Sequence, residues 1–171
     1  MGHVENLHIT PTRGAPVEAV AEIEVVKGIG VVGDRHALQA GEWDESHIGE
    51  ELTLVEAESI DMLARDHDIH LNPGETRRNI TTRGISLSDL VGRRIRVGQV
   101  VADVVELCEP CQHMQSIVGK PVMRPLAHRA GIRVLLVNGG TVRVGDEVEA
   151  IGDAGAITGS EAGQPVAEGR V

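Results

Sequence analysis

Short stretches in which apolar and polar residues alternate dominate this chain. Residues 2–9 and 21–25 alternate in this way, which is typical of strands that bury one face. Residues 93–97 and 100–107 are separated by a Gly-Gln dipeptide and predict a hairpin. Further strand-like segments occur at 52–55, 75–85, 132–137, 141–144 and 147–151.

Helical periodicity is confined to a few short segments. Residues 57–67 place apolar side chains on one face and predict an amphipathic helix. Residues 111–119 predict a short helix closed by a glycine, and residues 121–129 a second one. The strands at 132–137 and 141–144 are expected to form one strand–turn–strand unit. Roughly seven to nine strands against two or three helices predict a mostly-β, barrel-like domain.

Length and composition indicate a single domain with an aliphatic core. A chain of 171 residues is long enough for one core of ordinary size. Residues 1–151 contain the predicted strands, whereas residues 152–171 are rich in Gly and Ala and predict a flexible tail. Because the chain has one Trp and no Tyr or Phe, its core must consist of Val, Ile, Leu and Ala.

The charge balance excludes several classes of function. A formal net charge of -10 argues against a nucleic-acid or membrane-surface binder, because such proteins carry a basic field. The near absence of aromatic residues also removes the usual platforms on which bases stack. No apolar stretch approaches the roughly 18 residues of a spanning helix, and no signal peptide is recognisable. We therefore expect a cytoplasmic protein with reduced thiols, either a monomer or a homodimer.

The two cysteines mark the most informative segment. Pro110 cannot donate to a sheet ladder, so the strand at 100–107 should end close to it, and Cys111 then opens the predicted helix. Half of a zinc site, a thioredoxin-like redox pair and a single functional thiolate at Cys111 are all compatible with this spacing. The positive end of the helix dipole favours a thiolate at Cys111, while Cys108 is expected to be a small buried hydrophobe.

A polar strand-like segment supplies candidate anion-binding groups. In a strand, Arg77 and Asn79 lie on one face and Arg78 on the other, so Arg77 and Asn79 could serve one site that binds phosphate or carboxylate. The alternative is an edge strand whose charges are solvated. A glycine-punctuated loop at 27–36 ends in an Asp-Arg-His triplet, but its glycine spacing matches no phosphate-cradling pattern.

The order of these segments resembles the MOSC domain family, which is named for the C-terminal domain of molybdenum cofactor sulfurases. The resemblance covers roughly residues 1–151. It is carried by Lys27-Gly28-Ile29 with Gly33-Asp34-Arg35-His36, Arg77-x-Asn79-Ile80 with Gly84, Leu87-x-x-Leu90-x-Gly92, Val97-Gly98 and Cys108-Glu109-Pro110-Cys111.

The resemblance implies a MOSC-type β-barrel with a few short helices that binds the molybdenum cofactor, a molybdopterin whose dithiolene holds the metal. The family's essential cysteine falls on Cys111, which would be the molybdenum ligand and the catalytic residue. The family's Arg-x-Asn pair falls on Arg77 and Asn79, which would bind the cofactor. Weaker cofactor-binding candidates are Lys27, Asp34, Arg35 and His36. Candidates for groups around the metal ligand are Cys108, His113 and His128.

Two activities follow from the resemblance, and a third possibility stays open. As a molybdenum-dependent oxidoreductase, the chain would reduce N-hydroxylated or N-oxide compounds with electrons from a separate flavin or iron–sulfur partner. As a sulfur or cofactor carrier, it would hold a persulfide on Cys111 and work with a cofactor-maturation protein. Pyridoxal phosphate is only a family-level association, because nothing in this chain resembles a desulfurase domain. The third possibility is a metal-free or zinc-bearing binding module.

Overall fold

The computed structural model describes residues 1–37 and 51–155. These residues contain eleven strands and two α-helices, α1 (Ala57–His67) and α2 (Gln112–Val118), besides a 3-10 turn at Ser88–Leu90. The strands are β1 (Gly2–Ile9), β2 (Glu18–Val20), β3 (Glu22–Val26), β4 (Gly30–Val31), β5 (Leu52–Glu56), β6 (Ile80–Arg83), β7 (Arg93–Val97), β8 (Val100–Leu107), β9 (Ile132–Leu136), β10 (Gly140–Arg143) and β11 (Glu147–Asp153).

Seven of the described strands close into a barrel. Their order is β11-β7-β8-β9-β5-β6-β1, and β1 pairs back to β11. All neighbours are antiparallel except β5 and β6, which are parallel and joined by a crossover that contains α1. Register shifts in the β1–β6, β8–β9 and β7–β11 pairs supply the bends that help the sheet to close. Outside the barrel, β10, β3 and β4 form a small antiparallel sheet.

The barrel interior is aliphatic, as the composition requires. Alternate residues of β5, β7, β8 and β9 point inward and are almost completely buried, for example Leu52, Leu54, Ile95 and Val134. A second apolar cluster lies outside the barrel. It connects α1, α2 and residues 122–130 through Met62, Leu63, Ile69, Met114, Val122, Leu126 and Ala130. This second cluster anchors the start of α2, where Cys111 lies.

The predicted fold class is confirmed. Strands occur close to their predicted bounds along most of the chain, and α1 and α2 form where the sequence places them. No helix in the described parts of the chain is long and apolar enough to cross a membrane. The division into a domain and a tail stays a prediction, since β11 runs to Asp153 and residues 156–171 lie outside the described residues.

Three local predictions are wrong. Residues 121–129 form turns instead of a helix, and two prolines interrupt the segment. The strands at 132–137 and 141–144 do not pair, because β9 joins the barrel whereas β10 pairs with β3. The strand predicted from residue 75 starts only at Ile80, since the backbone of Arg77 is left-handed with a φ of 61°. This strand is also interior, because β6 lies between β5 and β1.

Gly131 is expected to tolerate no side chain. Its φ is +111°, and a Cβ would overlap the carbonyl oxygen of Leu54 in the neighbouring strand. Gly131→Ala should therefore lower the free energy of unfolding by about 3 kcal/mol or more, through backbone strain and steric overlap. The matched control is Gly92→Ala, where φ is +82° but no atom of the described residues lies within 4 Å of a Cβ, and the expected loss is about 1 kcal/mol. Equal losses in denaturant titrations would contradict this packing.

His8 should make stability depend on pH. Its side chain is buried, its Nδ1 has no hydrogen-bond partner among the described residues, and burial lowers the pKa of His8 from its ordinary value of 6.5. The folded state therefore resists protonation, so stability is fully present above pH 6.5 and falls as the pH drops below it. Denaturant titrations at pH 7.5 and 5.5 should show a loss of about 1 kcal/mol. His8→Gln should reduce this loss, whereas the exposed His3→Gln should retain it.

Candidate functional site

A cavity of about 460 Å³ opens beside the start of α2. Five arginines line it within the described residues, and they come from four parts of the chain: Arg13, Arg35, the adjacent Arg77 and Arg78, and Arg133. The α2 side of the wall contains the side chains of Cys111, His113, Met114 and Ile117. His36 completes the polar part of the lining. The fold thus places one thiol and several guanidinium groups around a common space.

Cys111 is held at the first turn of α2 as its N-cap. Its backbone is extended (φ -127°, ψ 167°), and its Sγ accepts a hydrogen bond of 3.4 Å from the N–H of Met114. The residue is exposed, whereas Cys108 retains only 3% of its accessible surface. The backbone N–H of Cys108 donates to the carbonyl of Gly131, which extends the contact between the β8 and β9 segments by one step. The two cysteines therefore have different environments.

Arg78 fixes the corner that carries the thiol. Its Nε donates to the Ala130 carbonyl (2.9 Å) and its Nη2 to the Cys108 carbonyl (3.1 Å). Burial lowers the pKa of Arg78, and the nearby sulfurs of Cys108 and Cys111 oppose that shift. A planar guanidinium with two donors in fixed directions suits this bridging role. Arg78 is therefore both a lining residue and a structural brace, although the sequence placed it on the opposite face from Arg77.

Arg77 reaches the cavity through a strained backbone. Its φ of 61° lies in the left-handed region, which costs a non-glycine residue on the order of 1–3 kcal/mol. Its N–H closes a turn to the Gly74 carbonyl (2.8 Å), and its Nη1 donates to the Ala15 carbonyl (3.3 Å). Gly74 in turn packs so tightly on the His8 ring that a side chain there would overlap it. These contacts aim the Arg77 guanidinium along the cavity wall.

Arg35 and His36 are presented by a turn that Asp34 organises. The buried Asp34 carboxylate accepts hydrogen bonds from the N–H groups of Thr10 (2.8 Å) and His36 (3.2 Å), and its Oδ1 lies 3.8 Å from Arg35 Nη1. Burial lowers the pKa of Arg35 despite this partner, and the like charges of Arg77, Arg78 and Arg13 contribute to the shift. Asp34 is thus a positioning residue that does not itself line the cavity.

Several predicted site residues are placed elsewhere. Asn79 accepts hydrogen bonds from the Thr53 N–H (3.3 Å) and hydroxyl (3.2 Å) through Oδ1, and its Nδ2 donates to the His8 carbonyl (3.4 Å). It connects β5, β6 and β1, and the structure does not bring it to the cavity. The prediction that Arg77 and Asn79 lie on one face of a strand is therefore wrong, because Arg77 has a left-handed backbone and both residues precede the strand. Lys27 is exposed outside the cavity lining.

His128 also lies outside the cavity. Its N–H donates to both carboxylate oxygens of Glu109 (3.0 and 3.2 Å), and its φ of 64° is left-handed. Its side chain lines a different groove, with residues of α1. Among the three residues predicted to surround the metal ligand, His113 therefore lines the cavity, Cys108 is buried behind the corner, and His128 lies on another face.

Besides Arg78, which the strand pattern placed on the other face from Arg77, sequence reasoning missed two further lining arginines. Arg13 belongs to a turn rich in Pro and Gly, where a single charge carries no periodic signal. Arg133 lies in the otherwise apolar β9, with its Nη1 3.1 Å from Glu106 Oε1 on β8. A charged residue within a predicted barrel strand was the available signal, because such a residue must point outward. Neither residue is near the cysteines in sequence.

The described residues contain no group of three or more His, Cys, Asp or Glu side chains placed to hold a metal ion. The zinc interpretation of the cysteine pair therefore lacks a ligand set in these parts of the chain, because a structural zinc site needs four donors. Of the three interpretations of the cysteine pair, the geometry favours a single functional thiol at Cys111, with Cys108 as a packing residue.

The bracing role of Arg78 is testable. Arg78→Lys keeps the charge but loses the fork that reaches two carbonyls, so we expect unfolding free energy to fall by about 2 kcal/mol. Alkylation of Cys108 in the native state should become faster as the corner loosens. Arg129→Lys is the matched control, since Arg129 is exposed and close in sequence to the same corner. Unchanged stability and unchanged Cys108 protection in Arg78→Lys would contradict the brace.

Solved structures share this fold. The YUAD protein from Bacillus subtilis superposes with a TM-score of 0.75 at 18% identity, over 90% of this chain and 98% of that chain. YiiM from Geobacillus stearothermophilus matches with a TM-score of 0.65 at 12% identity, over 88% and 75% of the two chains. YiiM from Escherichia coli matches with a TM-score of 0.63 at 17% identity, over 94% and 75%. At these identities the likeness establishes the fold alone.

Sequence comparison identifies the family. No curated protein matches this chain significantly in sequence. The sequence profile of the MOSC domain, however, matches residues 40–149, which is more than half of the chain. This match includes the Cys108–Cys111 corner and most of the barrel. The chain therefore belongs to the MOSC domain family, a family associated with binding of the molybdenum cofactor.

Proposed function

We propose that this chain binds the molybdenum cofactor in the arginine-lined cavity, with Cys111 as the metal ligand, and acts as a reductase of N-hydroxylated or N-oxide compounds. The observation that carries the proposal is the position of Cys111, an exposed thiol on the wall of a cavity lined by five arginines among the described residues. The chemistry of this donor set suits a soft metal bound to an anionic pterin.

The cavity lining fits the two ends of such a cofactor. A thiolate is the ligand that a sulfur-loving metal selects. The thiol of Cys111 is accessible, whereas that of Cys108 is buried. Guanidinium groups bind phosphate through paired hydrogen bonds, and Arg35 and Arg77 present theirs to the same cavity. Arg78 is engaged with backbone carbonyls, so it would contribute charge more than direct contacts.

The residues of this chain would bind the cofactor and hold its ligand in position. Arg35 and Arg77 would hold the anionic tail, while the brace from Arg78 and the N-cap geometry would keep the Cys111 sulfur at a constant position. His113 and His36 line the same space and are the side chains that could exchange protons there. When bound, the molybdenum centre would supply two-electron reduction chemistry, and a separate flavin or iron–sulfur protein would supply the electrons.

A carrier role is the second candidate. The exposure of Cys111 favours it, because a sulfur that is passed between proteins must be accessible to a partner. In this role Cys111 would hold a persulfide and transfer it during cofactor maturation, without turnover of a small substrate. Metal analysis and mass spectrometry of Cys111 together separate the two roles. Stoichiometric molybdenum without a persulfide supports the reductase, and a persulfide without molybdenum supports the carrier.

The two cysteines provide a matched pair of variants. After expression in a host that makes the cofactor, Cys111→Ser should retain at least about tenfold less molybdenum per chain, because a hydroxyl is a poor ligand for a soft metal. Cys108→Ser should retain molybdenum at the level of the unmodified chain, since that side chain does not line the cavity. The readouts are elemental analysis and pterin fluorescence of the purified proteins.

Stability measurements complete this test. Cys111→Ser should unfold at nearly the same denaturant concentration as the unmodified chain, because its side chain is exposed. Equal molybdenum content in the two variants would refute Cys111 as the ligand.

A further inference from the structure

Among the described residues, the arginines of the cavity outnumber the carboxylates that lie close to them. Within the described residues, two carboxylates lie close to its five arginines: Asp34 beside Arg35, and Glu106 beside Arg133. Arg13 has no partner in the described parts of the chain, and Arg77 and Arg78 bond to carbonyls. These carbonyl contacts satisfy hydrogen-bond donors, and a carbonyl brings no formal negative charge to the guanidinium.

This local field stands in contrast to the rest of the molecule. The chain has a net charge of -10, whereas the described lining of this cavity contains five arginines and no carboxylate, a composition that attracts small anions. The guanidiniums come from four backbone segments that meet at this cavity. A compact, divalent oxyanion is the class of ligand that such an arrangement selects, because several charge-assisted hydrogen bonds can reach one ion.

The thiol shares this field. Cys111 and Arg78 line the same cavity, together with Arg35 and Arg77. An anion drawn to the arginines therefore arrives next to Cys111, and the buried Cys108 is shielded from it. A thiolate normally repels an anionic reaction partner, and the guanidiniums remove that repulsion.

We propose that Cys111 takes sulfane sulfur directly from a small divalent oxyanion of the thiosulfate class bound among these arginines. This deepens the carrier form of the proposed function by naming its donor, and it requires no bound cofactor. The arginines that recognise the donor are Arg13, Arg35 and Arg77, while Arg78 keeps the sulfur of Cys111 in place.

The transfer balances without another reactant. The Cys111 thiolate attacks the outer sulfur of the donor, a bond forms between that sulfur and Sγ, and the sulfur–sulfur bond of the donor breaks. The electron pair of the broken bond leaves with sulfite. One thiolate and one thiosulfate dianion thus become one persulfide anion and one sulfite dianion, with total charge conserved. The guanidiniums neutralise charge on both the donor and the leaving sulfite.

The experiment uses the full-length reduced chain, purified without cofactor and incubated with thiosulfate. Peptide mass spectrometry should locate one added sulfur atom on Cys111 and none on Cys108, with one equivalent of sulfite released. Inorganic sulfate should compete. Arg77→Gln should slow the transfer about tenfold, and Arg13→Gln by a smaller factor because its side chain is exposed.

Two controls separate recognition from folding. Arg124→Gln removes an exposed arginine that lines another groove, and it should leave the transfer rate unchanged. Alkylation of Cys111 by neutral iodoacetamide should proceed at similar rates in Arg13→Gln and the unmodified chain, which shows that the thiol remains accessible. Arg13 is exposed, so this variant keeps the test valid even if Arg77→Gln proves unstable.

The outcomes are distinct from those that decide the proposed function. Absence of added sulfur on Cys111, or equal rates in Arg13→Gln and Arg124→Gln, would overturn the inference. A persulfide present on the chain as isolated from cells, without transfer from thiosulfate, would refute this donor and still support a carrier. Transfer from thiosulfate in a chain that never retains molybdenum would support the inference and refute cofactor binding.

Discussion

The bridge made by one guanidinium supports the rest of the candidate site. Arg78 donates hydrogen bonds to the carbonyls of Cys108 and Ala130. Cys108 follows β8, and Ala130 precedes β9. The corner between them contains a proline and leaves the sheet, so it cannot rely on ladder hydrogen bonds. A half-buried cation with two directed donors takes the place of that ladder. The position of the Cys111 thiol is therefore a consequence of a structural arginine as much as of its own helix.

The site combines this rigid corner with an unfavourable concentration of like charge. The barrel supplies the free energy that offsets the repulsion between these like charges, because its aliphatic interior is filled by residues such as Leu54, Ile95 and Val134. The left-handed backbone of Arg77 adds to the free-energy cost of the site. Strained backbone and like charges that lie close together are typical of functional sites, and the rest of the fold offsets their free-energy cost.

Much of the fold was readable from local patterns. Period-two alternation located β1, β3 and the β7–β8 hairpin, and helical periodicity located α1. The failures have a common cause, which is that pairing partners are chosen by the whole barrel. β10 follows β9 closely in sequence and yet pairs with β3, and residues 121–129 pack as turns against α1 and α2.

For the site, the sequence by itself determined that Cys111 follows a strand, opens a helix and differs from Cys108, because proline and glycine signals act within a few residues. It also singled out Arg35, His36 and Arg77 as charged groups of one pocket. Only the tertiary structure decided that Arg13 and Arg133 join them, that Asn79 connects strands instead, and that His128 lies on another face. Barrel closure brings distant segments together, and no local pattern of residues encodes which side chains then share a space.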